Sequence, residues 1–242
     1  MSTLLAFDTA TERMSVALAT GDEVRVHEAA GGAHASSALI PAIVHLLNEV
    51  NLSLSQVDAI AFGRGPGAFT GLRTACAVAQ GLAIGAGKPV LPLDTLLAVA
   101  EDARTHAPEL RVWVAMDARM DEIYAAHYAF EGGQWRTLVA PMLTTPEVLT
   151  EHWRHEPADL VAGSALGAFG DRLLTGTARR VPQALPRALA LVPLAQALWK
   201  AGGAVDPALA LPMYVRDKVA QTTAEREALR ASRDAPAAET RQ

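Results

Sequence analysis

Apolar and polar positions fall into two different rhythms along the 242-residue chain. Leu4 to Phe7 is a short apolar run that stops at Asp8, as a buried strand would. Met14, Val16 and Leu18 then alternate with smaller residues, the two-residue period of a strand. Gly21-Asp22 turns the chain, and Glu23 to Ala29 pairs back, so the opening reads as a three-stranded antiparallel meander. From Ala35 to Val50 the period becomes helical. Ile40, Ile43, Leu47 and Val50 make one stripe, and Leu39, Ala42 and Leu46 widen it enough to suggest contacts on two sides. A strand from Val57 to Phe62, a glycine-rich loop, a helix from about Thr70, a strand from Val90 to Leu93 and a helix from Thr95 to His106 complete a β-β-β-α-β-α-β-α unit.

The second half repeats this order. "VAMDARMDEIYAAHYAFEGGQW" (114–135) follows the plan of "LAFDTATERMSVALATGDEVR" (5–25), and Asp117 stands where Asp8 stands. Helices are predicted at Pro146–Trp153, Ala165–Leu174 and Ala188–Ala201, with a strand at Asp159–Ala162. Two copies of a mixed β-meander and α/β unit predict an α/β fold of two actin-like, ribonuclease-H-like lobes, each a mixed five-stranded sheet flanked by helices. This is the architecture of actin-like ATPases, Hsp70 proteins and sugar kinases. The lobes are placed at 1–108 and 109–220. The remainder, 221–242, has few large apolar residues and is expected to be a flexible tail.

Charge and composition narrow the function. A net charge of −5 speaks against a free-standing nucleic-acid binder. The single Cys76 supports neither a disulfide framework nor a thiolate metal site. The N-terminus lacks a basic region before its apolar run, and Ala188–Trp199 is too short to span a bilayer, so a cytoplasmic protein without a membrane partner is expected.

"FGRGPGAFTGLRTACAVAQGLAIGAG" (62–87) is the most distinctive stretch. It has no Gly-Lys for a Walker A loop, and Pro66 spoils the relaxed Rossmann match Gly63-x-Gly65-x-x-Ala68. Two readings stand beside each other. In one, Gly65 and Gly67 turn the chain, Thr70 caps the helix, and the N–H groups of Gly71, Leu72 and Arg73 face an anion, with Arg64 and Arg73 near. In the other, the loop is only a tight strand-to-helix turn. Asp8 and Thr9 divide likewise between holding magnesium or phosphate and forming an Asx-turn. From Thr74 to Gly87 no residue is charged, which suits either burial or close packing against a helix of another chain. The seven histidines form no H-E-x-x-H, and "AGSALG" (162–167) is not a nucleophile elbow, so no metal or catalytic residue is assigned.

Together "LLAFDTATERMSVAL", "HASSALIPAIVHLL", "GRGPGAFTGLRTACAVAQGLA", "DARMDEIYAAHY" and "LPMYVRDKVA" resemble the bacterial TsaB (YeaZ) family, from Leu4 to about Val219. This family is the dimerisation subunit of the tRNA threonylcarbamoyladenosine complex. The resemblance implies a non-catalytic scaffold. It would pair with a homologous catalytic subunit, TsaD, which modifies N6 of the adenosine 3′ of the anticodon. A TsaE-type ATPase would join, tRNA would bind only through the complex, and self-association would use the pairing face. By resemblance that face holds Leu39, Ile43, Leu47, Thr74, Val78, Ala79, Leu82 and Ala83. No tightly bound cofactor is implied; ATP or ADP with magnesium would sit at the interface of the complex. The N-H-x-x-x-H metal motif of the catalytic relative is replaced here by "VLPLDTLLAVAED" (90–102). The alternative is an autonomous ATPase or small-molecule kinase using Asp8, Thr9 and the Gly65–Thr70 loop; a peptidase ranks below it.

Overall fold

A computed structural model describes residues 2–216; the tail from Gln221 lies outside them. The first half contributes β1 (Thr3–Asp8), β2 (Arg13–Thr20), β3 (Glu23–Ala30), α1 (Ala35–Glu49), β4 (Ala59–Gly65), α2 (Phe69–Ala86), β5 (Val90–Asp94) and α3 (Thr95–Arg104). The second contributes β6 (Leu110–Asp117), β7 (Ile123–Glu131), β8 (Gln134–Thr144), α4 (Pro146–His155), β9 (Leu160–Ala162), α5 (Ala165–Phe169), β10 (Arg179–Val181) and α6 (Ala188–Lys200).

The strand orders are β3-β2-β1-β4-β5 and β10-β9-β6-β7-β8. In each sheet the meander is antiparallel, and the last two strands run parallel to its first strand. The repeat read from the sequence is therefore a repeat of topology. The two sheets differ in strand length, β8 being the longer arm and β10 a three-residue strand that no periodicity marked.

Alternation explains the layers. On β1, Leu5 and Phe7 face α1 and α2, meeting Leu39, Ile43, Leu46 and Ala79 in one core. Leu4 and Ala6 face the other way. With Ala17, Ala19, Ala59 and Ala61 they form a shallow alanine-rich surface, into which Leu191, Leu194 and Ala195 of α6 settle. Leu96, Val99 and Ala100 of α3 pack on Val112, Val114 and Met116 of the second sheet. Leu149 and Trp153 of α4 cover its far face with Trp113 and Ala115. The layers run α1/α2, first sheet, α3/α6, second sheet, α4/α5.

Two boundaries differ from expectation. The helix expected to reach Leu174 stops at Phe169, because Gly170 takes φ 51° and breaks the ladder. And α6, placed in the second lobe by a division at 108/109, packs on β1, β2, β4 and β5 of the first sheet. Its apolar stripe announced burial but not which sheet would receive it.

Candidate functional site

The glycine loop closes against its own chain. After β4, Pro66 to Ala68 lead into α2, and the glycines permit close approach. A Cβ on Gly71 would overlap the Thr9 carbonyl, and one on Gly67 would meet Ala10. The Ala68 N–H donates to the Ala10 carbonyl at 2.8 Å, and the Thr9 hydroxyl donates to the Gly71 carbonyl at 2.7 Å. The β1–β2 turn thus lies against the start of α2, where an anion would have to approach. Thr70 is not the cap. Ala68 holds that position without a side-chain bond, and Thr70 is exposed in the first turn, because the anchoring of Ala68 on Ala10 starts the helix one residue early. The Leu72 N–H is used inside the helix by the Ala68 carbonyl. Arg64 donates to Asp94 at 2.7 Å, and Arg73 lies over the Phe69 ring and donates to the Tyr214 hydroxyl.

Asp8 and Thr9 are buried. Asp8 accepts from the Ala10 N–H at 2.7 Å and from the Thr95 hydroxyl at 2.8 Å, and Thr95 in turn accepts from the Gly65 N–H. A Cβ on Gly63 would overlap the Asp8 carboxylate, so that carboxylate is covered by backbone. Burial pushes its pKa up to about 6, against the two hydrogen bonds that lower it. Asp117 repeats the turn, accepting from the Arg119 N–H two residues on at 2.8 Å. The shared geometry is the Asx-turn that starts each meander.

Between the lobes lies a cleft of about 510 Å³, in the range of small-ligand sites. Its walls include Phe69, Met116, Tyr124, Met213 and Tyr214, with Gly67 at the loop edge. Asp8, Thr9, Gly65 and Thr70 do not line it. On the second lobe the wall is the β6–β7 loop, where Arg119, Met120 and Asp121 take φ of 62°, 59° and 60°. Left-handed conformations cost L-residues about 1–2 kcal/mol each, so three in succession must be held by their surroundings. The segment that returns from α6 supplies part of the hold. Met213 N–H donates to the Arg64 carbonyl, and the Arg216 guanidinium donates to the carbonyls of Ala118 and Arg119 and pairs with Glu122 at 2.6 Å. The sequence motifs "DARMDEIY" and "LPMYVR" marked both partners, but nothing local in either showed that they meet.

The outer layer bears the other candidate surface. Leu39, Ile43, Leu47, Ala79 and Ala83, which the resemblance assigned to a pairing face, lie in the lobe's own core. Thr74, Val78 and Leu82 are half-buried. The correction is one of helical phase. On α1 the row Leu39–Ile43–Leu47 turns to the sheet, and the next row, Ile40 and Val44, turns out, 46% and 48% exposed. On α2 the outward row is Ala77, Gly81 and Ile84, the last 67% exposed. Cys76 is on the inward flank; burial pushes its thiol pKa up, and it donates to the Ala210 carbonyl. Among the described residues no group of three or more His, Cys, Asp or Glu side chains is arranged to hold a metal. No helix among them is long and apolar enough to cross a membrane.

A sequence-family model described as TsaD, tRNA N6-adenosine threonylcarbamoyltransferase, matches residues 19–161. The chain is 37% identical over 229 residues to a Haemophilus influenzae protein named tRNA threonylcarbamoyladenosine biosynthesis protein TsaB, covering 90% of this chain and 94% of that one. Its Escherichia coli namesake is 34% identical, covering 90% and 96%. The solved structure of YeaZ from Pseudomonas aeruginosa superposes with a TM-score of 0.81 at 40% identity, over 88% of this chain and all of the other. A polyphosphate/ATP-glucomannokinase from an Arthrobacter strain shares the two-lobed fold alone, with a TM-score of 0.50 at 11% identity. With shared fold, shared length and more than a third of its aligned residues in common with named members, the chain belongs to the TsaB (YeaZ) family of tRNA threonylcarbamoyladenosine biosynthesis proteins.

Proposed function

We propose that the chain is a docking subunit for threonylcarbamoylation of N6 of the adenosine 3′ of the tRNA anticodon. It pairs through α1 and α2 with a TsaD-type catalytic chain, contributes no reacting group of its own, and lets a TsaE-type ATPase join. The observation that carries this reading is the outward face of the two helices. Ile40 and Val44 of α1 and Ala77, Gly81 and Ile84 of α2 present apolar or small groups outward from two helices in contact, and α2 carries no charge after Arg73. Exposed apolar residues that stand together in this way mark interaction surfaces. The self-closed glycine loop and the covered Asp8 carboxylate support the non-catalytic part and weigh against an autonomous ATPase or kinase. ATP or ADP with magnesium belongs, in this reading, to the assembled complex. Alone, the chain uses the same face to form a homodimer, and it acts in the cytoplasm.

The test is reconstitution. tRNA is modified by synthase, catalytic subunit and ATPase with and without this chain, and with its Ile84→Arg variant. Modification should depend on the chain and fall at least tenfold with the variant, whose thermal unfolding should match wild type because Ile84 is exposed. Equal modification without the chain sinks the proposal. Full support from the variant sinks the assigned face and leaves the scaffold role standing.

A further inference from the structure

The return segment after α6 does more than end the fold. It runs along one flank of α2, where Gln80 donates to the carbonyls of Pro207 and Ala210. It crosses the glycine loop, with Met213 N–H on the Arg64 carbonyl and the Tyr214 ring against Phe69 at 5.2 Å. It then reaches the second lobe, where Arg216 is 12% exposed in its side chain. There one guanidinium serves the Ala118 and Arg119 carbonyls, the Glu122 carboxylate and the Met120 sulfur. These groups belong to or directly flank the left-handed turn 119–121. The direct ion pair across the cleft mouth, Arg119 to Glu12, is exposed on both sides and contributes little. At this mouth Arg216 is therefore the main polar tie between a segment fixed to the first lobe and a loop of the second.

We propose that residues 210–216 are a latch that sets the width of the interlobe cleft, with Arg216 as its catch and the left-handed β6–β7 loop as its keeper. In the latched state, Arg216 holds the loop carbonyls toward the strap, and the loop stays in a conformation that non-glycine residues otherwise leave. In the released state, Arg216 is withdrawn, 119–121 relax to negative φ, and the lobes part about the α3/α6 layer. The two states differ in identifiable contacts, as a two-state device requires. The inference does not depend on the docking face or on the tRNA role, since it concerns contacts within this chain.

The experiment compares the full-length chain with Arg216→Ala and Arg216→Lys by amide hydrogen exchange, and by the distance between spin labels at Ser37 and Asp171, exposed positions on opposite lobes. In Arg216→Ala, exchange should quicken at least tenfold at 118–122 and at Met213, with β1, β2 and α1 unchanged. A second, longer label distance should appear. Arg216→Lys, a single compact ammonium in place of a fork, should fall between. Unchanged exchange at 118–122 with a single label distance overturns the latch. So does a uniform rise across β1 and β2, because it would show that Arg216 acts only on global stability.

Discussion

Asp8 is a carboxylate kept where water does not reach it, and its two hydrogen bonds do not offset the loss of solvent. Its folded pKa, about 6, lies above the unfolded value near 3.8. The stabilising form is therefore the protonated one. The favourable contribution is complete below about pH 4 and is lost as pH rises through 6. Asp8→Asn keeps an acceptor for the Ala10 N–H and needs no ionisation. Relative to wild type it should become more stable as pH rises from 4 to 7, by roughly 2–3 kcal/mol at the plateau, with no difference at pH 4. Paired thermal melts across that range decide it, and a gap that is constant with pH refutes the linkage. The sequence offered Asp8 as a metal carboxylate or a turn former. Separating the two required its distance to Ala10, to Thr95 and to the backbone of Gly63, and two of those three partners are far along the chain.

At the scale of elements, α2 carries glycines that do opposite things. Gly71 sits where its backbone touches the Thr9 carbonyl, whereas nothing lies within 4 Å of a Cβ placed on Gly81. Gly71→Ala should cost about 3 kcal/mol by overpacking. Gly81→Ala should raise the stability of the isolated chain by about 0.5–1 kcal/mol, the usual helix penalty of glycine. If the face meets another helix closely, the same Gly81→Ala should weaken pairing with the catalytic subunit severalfold. Denaturant midpoints measure the first two effects and titration with the partner the third. A stabilised chain with unaltered affinity would move the contact off Gly81. Periodicity made the helices legible. It did not resolve their phase, because Ile40 and Val44 are as apolar as Leu39 and Ile43, and only the position of the sheet decides which row turns inward.

The whole molecule is not two lobes in sequence. Its last described α-helix returns to the first sheet and covers Leu4, Ala6, Ala17, Ala19, Ala59 and Leu91, a surface too shallow in side chain to stand alone in water. The repeat in the sequence hides this, since the two halves match strand for strand while the covering helix belongs to one of them. Ser15 makes the dependence specific: its buried hydroxyl accepts from the Ala188 N–H at the start of α6. Leu191 and Leu194 are nearly fully buried against the sheet, and each contributes about 1.5–3 kcal/mol by that burial, a large share of a domain's net stability. A fragment ending at residue 108 should therefore lack a cooperative thermal transition, although it contains every strand of the first sheet. Adding a peptide of residues 186–216 should restore the transition, and the same peptide with Leu191→Ala and Leu194→Ala should not. Circular dichroism melts follow all three. Cooperative unfolding of the 1–108 fragment alone would show that the first lobe closes its own core, and that α6 is a cover and not a component of it.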